Sequence, residues 1–222
     1  MSELIVMLTR NDETVKDAKE VFIAARDLPV TFWGFKNIGL PVPQMKDLVD
    51  AMKSAGKITF LEVVTLSEEE CLKGARMAVD CGFDYLLGTV FYQSVAAYCT
   101  ERKVKYLPFC GKVYGHPSIL EGTPEEVADS AAKLEAAGCH GTDLLAYRNE
   151  KDPEEVIKKV VEKVAFPVVV AGSVSTFERI AAIQKINPWT FTIGSALFEG
   201  KFGPDKSFQG QIQAVCDYMN NH

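Results

Sequence analysis

The chain has 222 residues, of which 47% are hydrophobic, and its formal net charge at pH 7 is −6. This apolar fraction can fill a packed core and is too high for a disordered chain. The acidic balance provides no basic face of the kind that nucleic acids and anionic membranes require, so we expect neither as a partner. A small anionic ligand is compatible with this net charge, because a few local hydrogen-bond donors can outweigh a diffuse negative charge.

The N-terminal segment and the cysteines indicate a cytoplasmic protein. The first residues, MSELIVMLTRNDE, become charged too early for a secretory signal, and no apolar run reaches the roughly 18 residues of a membrane span. The six cysteines are scattered singly, without a CxxC pair, and three histidines are present. We therefore expect reduced, mostly buried thiols and no metal site.

Eight apolar, β-branched runs recur along the chain at fairly even spacing. They begin near Leu4, Val30, Ile58, Phe83, Val104, Gly141, Pro167 and Trp189. Most of these runs are nearly continuous instead of alternating, which is typical of strands buried on both faces of a parallel sheet. The pattern therefore predicts eight parallel strands.

Signals for helix starts lie between these runs. Ser67 and Ser175 each precede a glutamate by three residues, which predicts two capping boxes. Thr123 and Asp152 are each followed by a proline, which favours the first position of a helix. After Asp152 the apolar residues fall on one helical face and the charged residues on the other. Helices are therefore expected to alternate with the strands.

Eight strands that alternate with helices predict a single (β/α)8 TIM barrel, with one domain over residues 1–222. A doubly wound open sheet is the alternative, and it normally carries a glycine-rich phosphate turn after its first strand. Here the corresponding turn reads TRNDE and contains no glycine. This difference favours the barrel.

Small residues follow the last two predicted strands, in VVVAGSVST and FTIGSALFEG. Barrel enzymes often bind a phosphate between the loops after strands 7 and 8. Backbone N–H groups at a helix start stabilise the anion, and small side chains let the backbone approach it. The residues that fit this role are Gly172, Ser173, Val174, Gly194 and Ser195. Tight turns without a ligand have a similar composition, but the paired occurrence favours a phosphate site.

The C-terminal part of the chain resembles the ribulose-phosphate-binding group of barrels. The segment GTDLLAY is similar to the GTTLSGY strand of N-acetylmannosamine-6-phosphate epimerases, and IGSA is similar to their VGSA turn. The resemblance covers residues 140 to 200 and implies a barrel that acts on a sugar phosphate. One position departs from it: where that family and the pentulose-phosphate 3-epimerases carry a catalytic acid, this chain has Ala171. The acid or base must therefore come from another strand.

Polar side chains at the ends of other predicted strands are candidates for catalysis, because barrel enzymes place catalytic groups there. The candidates are Glu62, Lys36, Lys112, Asp143 and His116, with Arg148 as a substrate-binding residue. A carboxylate inside an apolar run, as at Glu62 and Asp143, is costly to bury unless it faces a polar site. An ion-paired structural carboxylate and solvated lysines are the alternatives. The long segment 111–122 is expected to form a lid.

Two reactions fit a carboxylate and a lysine beside a bound sugar phosphate. A carboxylate could remove a proton next to a carbonyl while a lysine stabilises the enediolate, as in an isomerase or epimerase without a cofactor. A lysine with a suppressed charge could instead form a Schiff base, as in class I aldolases. The residues leave both open, and the resemblance favours the first. A non-catalytic phosphate-binding barrel stays a third alternative, and pairing of outer helices could produce a homo-oligomer.

Overall fold

Eight parallel strands form the central sheet of the computed structural model, which describes residues 1–115, 117–149 and 151–221. The strands are β1 (Glu3–Met7), β2 (Phe32–Lys36), β3 (Ile58–Val63), β4 (Tyr85–Gly88), β5 (Lys105–Leu107), β6 (Thr142–Leu144), β7 (Val168–Val170) and β8 (Thr190–Ile193). Their order in the sheet is β6-β7-β8-β1-β2-β3-β4-β5, and every neighbouring pair is parallel. The eight predicted strands are thus confirmed.

The sheet nearly closes on itself between β5 and β6. The Asp143 N–H donates to the Pro108 carbonyl oxygen at 3.0 Å. The Thr142 hydroxyl donates to the same oxygen at 2.9 Å, and Phe109 forms an isolated parallel bridge with Asp143. These contacts convert the open edges of β5 and β6 into a seam, so the sheet is a barrel.

A helix follows each barrel strand. The helices are α1 (Ala18–Ala25), α2 (Val42–Ser54), α3 (Glu68–Cys81), α4 (Gln93–Arg102), α5 (Pro124–Ala136), α6 (Pro153–Lys163), α7 (Phe177–Ile186), α8 (Ser195–Phe198) and α9 (Phe208–Asn221). In the three described ranges, no helix combines the length and the apolar character that crossing a membrane requires. The alternation of strands and helices confirms the predicted (β/α)8 TIM barrel.

Two short antiparallel hairpins interrupt this alternation. The first hairpin follows β1 and pairs Thr9–Arg10 with Glu13–Thr14. The second hairpin follows β5 and pairs Lys112–Tyr114 with Ile119–Glu121. Both extend from the carboxyl ends of barrel strands, which is the end of a TIM barrel where functional loops are found.

Local sequence explains where the helices begin. The Thr123 hydroxyl accepts from the Glu126 N–H at 3.2 Å, and the Glu126 carboxylate accepts from the Thr123 N–H at 2.8 Å, which makes a complete capping box for α5. Proline occupies the first position of α5 and of α6, as predicted. The N-cap of α7 is Thr176 and not Ser175, because the Thr176 hydroxyl accepts from the Arg179 N–H.

The barrel interior is apolar at its amino-terminal end. An aromatic plug fills this end and consists of Phe32, Phe60, Tyr85 and Trp189. The rings of Phe60 and Tyr85 stack at 4.5 Å, and those of Phe32 and Trp189 meet edge-on at 5.5 Å. A separate, larger apolar layer lies between the sheet and the helices. The plug leaves the carboxyl ends of the strands as the open end of the barrel.

Candidate functional site

A cavity of about 710 Å³ opens at the carboxyl ends of the barrel strands. Residues that follow β1, β2, β3, β6, β7 and β8 line it. Along β2 the interior side chain changes from Phe32 to Lys36, and along β3 it changes from Phe60 to Glu62. The two strands therefore deliver charged groups to the cavity and aromatic groups to the plug.

Lys36 and Glu62 lie side by side on the cavity floor, because they are register partners in the parallel β2–β3 pair. The Lys36 Nζ is 3.6 Å from Glu62 Oε1 and 2.9 Å from Asp12 Oδ1. The Lys36 side chain is 12% exposed and that of Glu62 is 13% exposed. The structure thus brings two of the predicted catalytic residues into contact in a largely desolvated place.

The surrounding carboxylates determine the charge of Lys36. Burial alone would lower its pKa, but Glu62 and Asp12 outweigh burial and raise the pKa above its ordinary value, with Arg148 acting against them to a smaller extent. Lys36 therefore carries its proton at neutral pH. A protonated amine can stabilise negative charge on a ligand, but it cannot act as a nucleophile.

Asp143 lies inside the barrel, near this pair but outside the cavity lining. It is the register partner of Val169, whose side chain is interior, and it is fully buried. Neither carboxyl oxygen makes a hydrogen bond of ordinary geometry within the described ranges, although the Gly88 N–H approaches the carboxyl group. Burial, together with the charge of Glu62, raises the pKa of Asp143 well above its ordinary value, and Lys36 and the Gly88 N–H oppose this only in part. Asp143 therefore keeps its proton to a higher pH than an exposed aspartate does.

The sequence-based candidates did not include Asp12, which the first hairpin brings to Lys36. Asn11 and Asp12 have φ values of 52° and 64°, and both residue types tolerate this left-handed conformation at the tip of a two-residue hairpin. The Thr14 hydroxyl donates to the Lys36 carbonyl oxygen at 2.7 Å and accepts from the Lys36 N–H at 3.0 Å. The Asn-Asp pair in TRNDE was the available signal for this turn.

The five residues predicted to bind phosphate all line the cavity: Gly172, Ser173, Val174, Gly194 and Ser195. Gly172 has a φ of 77°, and Ser173 has a φ of 60°. The N–H groups of residues 172–174 donate to no acceptor among the described residues. A β-carbon at position 194 would lie 2.9 Å from the Thr9 carbonyl oxygen, so the chain needs glycine there. Residues 172–174 thus present unpaired donors to the cavity, and both loops place small residues there.

Two arginines stand beside these loops. Arg148 lines the cavity and packs over Gly172, where an added β-carbon would come 3.2 Å from Arg148 Cγ. Arg179, which the sequence analysis did not single out, also lines the cavity. Its guanidinium group donates to the Ser173 carbonyl oxygen and lies 4.7 Å from the centre of the Tyr147 ring. Its position in the first turn after a glycine-serine loop was the sequence signal for it.

The second hairpin does not bring Lys112 to the cavity lining. Lys112 is 71% exposed and forms an ion pair with Glu121 at 2.9 Å; hydrogen bonding to this carboxylate raises the pKa of Lys112. His116, another predicted catalytic residue, lies outside the described residues. Ser118 is the residue of this segment that lines the cavity within the described part of the chain. The closure of the segment as a lid stays a prediction.

The six cysteines are all free and buried, as expected. Across residues 1–115, 117–149 and 151–221, no group of three or more histidine, cysteine, aspartate or glutamate side chains is placed to hold a metal ion. At the end of β7, Ala171 is buried and its N–H donates to the Leu144 carbonyl oxygen at 2.9 Å. The charged groups that line the cavity thus come from β2, β3, the loops and the first turns of α3 and α7, and none of them comes from β7.

Several solved structures share this fold. Orotidine 5'-phosphate decarboxylase from Pyrococcus horikoshii superposes with a TM-score of 0.71 at 13% identity, over 98% of this chain and 99% of that chain. N-acetylmannosamine-6-phosphate 2-epimerase from Clostridium perfringens superposes with a TM-score of 0.65 at 11% identity, over 98% and 93% of the two chains. The neighbours are TIM barrels of the ribulose-phosphate-binding group that the sequence resembles, and at these identities they show the fold.

Curated relatives match part of the chain, and no family model matches it. A 1-(5-phosphoribosyl)-5-((5-phosphoribosylamino)methylideneamino)imidazole-4-carboxamide isomerase from Natronomonas pharaonis is 33% identical over 87 residues, which are 37% of this chain and 36% of the relative. The isomerase of the same name from Haloarcula marismortui is 32% identical over 89 residues, or 38% and 36% of the two chains. The match thus spans little more than a third of these relatives.

Proposed function

We propose that this barrel is a sugar-phosphate isomerase or epimerase that moves a proton next to a carbonyl group. The observation that carries the proposal is the Lys36–Glu62 contact of 3.6 Å on the cavity floor. A carboxylate and an ammonium group at this spacing can act on adjacent atoms of one substrate. The isomerase relatives and the epimerase among the structural neighbours favour the same class of reaction.

In this proposal Glu62 removes the proton and Lys36 stabilises the oxygen. The C–H bond next to the carbonyl breaks, its electrons form the carbon–carbon double bond of an enediolate, and the proton moves to the Glu62 carboxylate. The Lys36 ammonium group balances the negative charge that develops on the carbonyl oxygen. Return of the proton to the former carbonyl carbon, with transfer of the hydroxyl proton of the adjacent carbon to the enediolate oxygen, gives an isomer. Return to the opposite face of the carbon that lost the proton gives an epimer and needs a second proton donor.

Glu62 is a better base than Asp143 because of where the two carboxyl groups lie. Glu62 lines the cavity, whereas Asp143 is fully buried and keeps its proton to a higher pH than an exposed aspartate does. Two carboxyl groups in different surroundings can take separate acid and base roles. We assign Asp143 as a positioning residue whose buried carboxyl group lies near Glu62 inside the barrel.

The phosphate of the substrate would lie between the loops after β7 and β8. The N–H groups of residues 172–174 have no acceptor in the described part of the chain, and the small residues of both loops line the cavity. Arg148 and Arg179 add two cationic groups at the same end. Guanidinium groups and free backbone N–H groups are the donors that proteins use for phosphate.

A Schiff-base aldolase is less well supported by the two lysines that the sequence suggested. Such a reaction needs a neutral amine, whereas the pKa of Lys36 is raised by Glu62 and Asp12 in spite of burial. Lys112 is mostly exposed and lies away from the cavity lining. One observation favours a binding protein without catalytic activity: Ala171 occupies the position at which the N-acetylmannosamine-6-phosphate epimerases carry their catalytic acid.

The test incubates the wild-type protein in heavy water with a panel of ketose and aldose phosphates and keto-acid phosphates. We expect mass spectrometry to find solvent deuterium on carbon in at least one recovered sugar phosphate. In parallel, borohydride is added to reduce any Schiff base, and the mass of the intact protein is measured by mass spectrometry. A trapped adduct would establish an aldolase-type Schiff base. No deuterium and no adduct, with ligands that raise the melting temperature, would leave a binding protein and refute the proposal.

A further inference from the structure

The two ends of the cavity differ in charge. The phosphate end consists of the loops after β7 and β8 with Arg148 and Arg179, and its one acidic lining residue among those described, Glu199, is paired with Lys201 at 3.6 Å. The far end lies at β2 and β3, beyond the Lys36–Glu62 pair. It is lined by Asn37, Ile38, Val64, Thr65 and Glu70. Among the described residues, no arginine lines the far end, and Lys36 at its border is already paired with carboxylates.

The start of α3 makes the far end acidic. A helix N-terminus ordinarily attracts an anion through its dipole and its free N–H groups. The first turn of α3, however, carries Glu68, Glu69 and Glu70, and the Ser67 hydroxyl accepts from the Glu70 N–H at 3.4 Å. Of these three carboxylates Glu70 lines the cavity, so a negative charge of the protein lies where a second anionic group of a ligand would have to bind.

One lysine of α3 is close to these carboxylates but is already engaged by them. Lys73 forms ion pairs with Glu69 at 3.0 Å and with Glu70 at 2.7 Å, and its side chain is 54% exposed. Its charge offsets part of the acidic cluster, and because both carboxylates engage it, Lys73 is not available to a ligand phosphate. The neutral groups of the far end, the Asn37 amide and the Thr65 hydroxyl, suit hydroxyl or amino groups of a ligand.

We propose that the substrate carries a phosphate at one end and no anionic group at the other, so that it is a sugar monophosphate whose far end bears hydroxyl or amino groups. The inference rests on the proposed function and specifies its substrate class. The arginines and free N–H groups bind the phosphate, and Glu70 repels a second one. Selection against an unwanted ligand by like-charge repulsion is a common source of specificity.

The test compares two ligands that differ by one phosphate. Isothermal titration at low ionic strength measures the dissociation constants of D-fructose 6-phosphate and D-fructose 1,6-bisphosphate for the wild-type protein. We expect the bisphosphate to bind about tenfold more weakly or worse, because like charges across an interface disfavour binding. Inorganic phosphate, titrated as a third probe, reports on the phosphate end alone.

Two variants with the same change of charge locate the effect. Glu70→Lys should strengthen bisphosphate binding about tenfold and leave inorganic phosphate within about twofold. Glu69→Lys is the matched control, because Glu69 is 79% exposed and does not line the cavity. The control should change neither constant by more than about twofold, since exposed charges are screened. Unfolding midpoints confirm that both variants are folded.

Each outcome decides the inference. Equal or tighter binding of the bisphosphate by the wild-type protein overturns it, while the heavy-water test of the proposed function stands unaffected. An equal gain from Glu69→Lys and Glu70→Lys also overturns it, because the effect would then come from net charge. If inorganic phosphate and both sugar phosphates fail to bind, the assignment of the phosphate end is wrong, and the inference is overturned as well.

Discussion

The two ends of the barrel interior use the same strands for different purposes. On β2, Phe32 belongs to the aromatic plug, whereas Lys36 lies on the cavity floor. On β3 the change occurs within two residues, from Phe60 to Glu62. The plug stabilises the fold through apolar burial. The open end instead holds charged side chains and the buried acid Asp143, and burying such groups costs stability. Substitutions at the plug end of a strand should therefore lower stability, and substitutions at the open end of the same strand should lower activity.

The largest effect is expected at the plug. Phe60 is fully buried and stacks on Tyr85 at 4.5 Å. Phe60→Ala should lower the free energy of unfolding by about 3–5 kcal/mol, because it removes the ring and leaves a cavity. Urea unfolding measures this loss. Leu66→Ala, at a side chain that is exposed, is the control and should change little. A loss below about 1 kcal/mol for Phe60→Ala would mean that the plug is not a main source of stability.

The next effect concerns catalysis at the open end. Lys36→Met should lower kcat about 100- to 1000-fold, since it removes the group that stabilises the enediolate oxygen. Lys112→Met is the matched control, because Lys112 is exposed and paired with Glu121 outside the cavity lining. Steady-state rates on the substrate found by the panel measure both. If Lys112→Met abolished turnover and Lys36→Met did not, the cavity floor would not be the catalytic site.

Ligand binding is expected to respond more moderately. Ser195 lines the cavity and accepts a hydrogen bond from the Asn11 N–H at 3.2 Å. Ser195→Asp should weaken the binding of inorganic phosphate about tenfold, because it introduces a negative charge next to the ligand. Ser207→Asp makes the same change at an exposed position outside the cavity lining. Equal affinities of Ser195→Asp and the wild-type protein for phosphate would contradict the phosphate site.

The smallest effect is a change in the pH dependence of stability. Burial raises the pKa of Asp143 in the folded protein, so its contribution is fully present below the unfolded pKa of about 4 and is lost as pH rises through the folded value. Asp143→Asn has no such titration. Between pH 4 and neutral pH the wild-type protein should lose on the order of 1 kcal/mol more than the variant. Parallel curves from urea unfolding would show that the pKa of Asp143 is not raised in the folded protein.

The parts of the structure that sequence alone predicts are those with a local cause. The eight strands were predicted because apolar runs reflect burial on both faces, and the loops at Gly172 and Gly194 because a close backbone approach needs small residues. Glu62 and Lys36 were selected because they are polar residues at the ends of predicted strands, where barrel enzymes place catalytic groups. Their contact of 3.6 Å follows from the register of β2 and β3, which the sequence does not encode in any local pattern.

The residues that were missed or placed differently depend on loop conformation. Asp12 reaches Lys36 because the first hairpin turns back over β2. Arg179 reaches the cavity because Ser173 and Tyr147 hold its guanidinium group. Lys112 stands away from the cavity because the second hairpin pairs it with Glu121. In each case the direction of a side chain results from a turn several residues away, which strand and helix patterns do not predict.

The most direct test of the account measures solvent deuterium in the sugar phosphate recovered from the Glu62→Gln variant. Glutamine keeps the size of the side chain but cannot accept the proton. We predict that exchange falls to the background rate while the free energy of unfolding stays close to that of the wild-type protein. Glu121→Gln, an exposed acid outside the cavity lining, should exchange at the wild-type rate. Full exchange by Glu62→Gln would show that Glu62 is structural and would contradict the proposed mechanism.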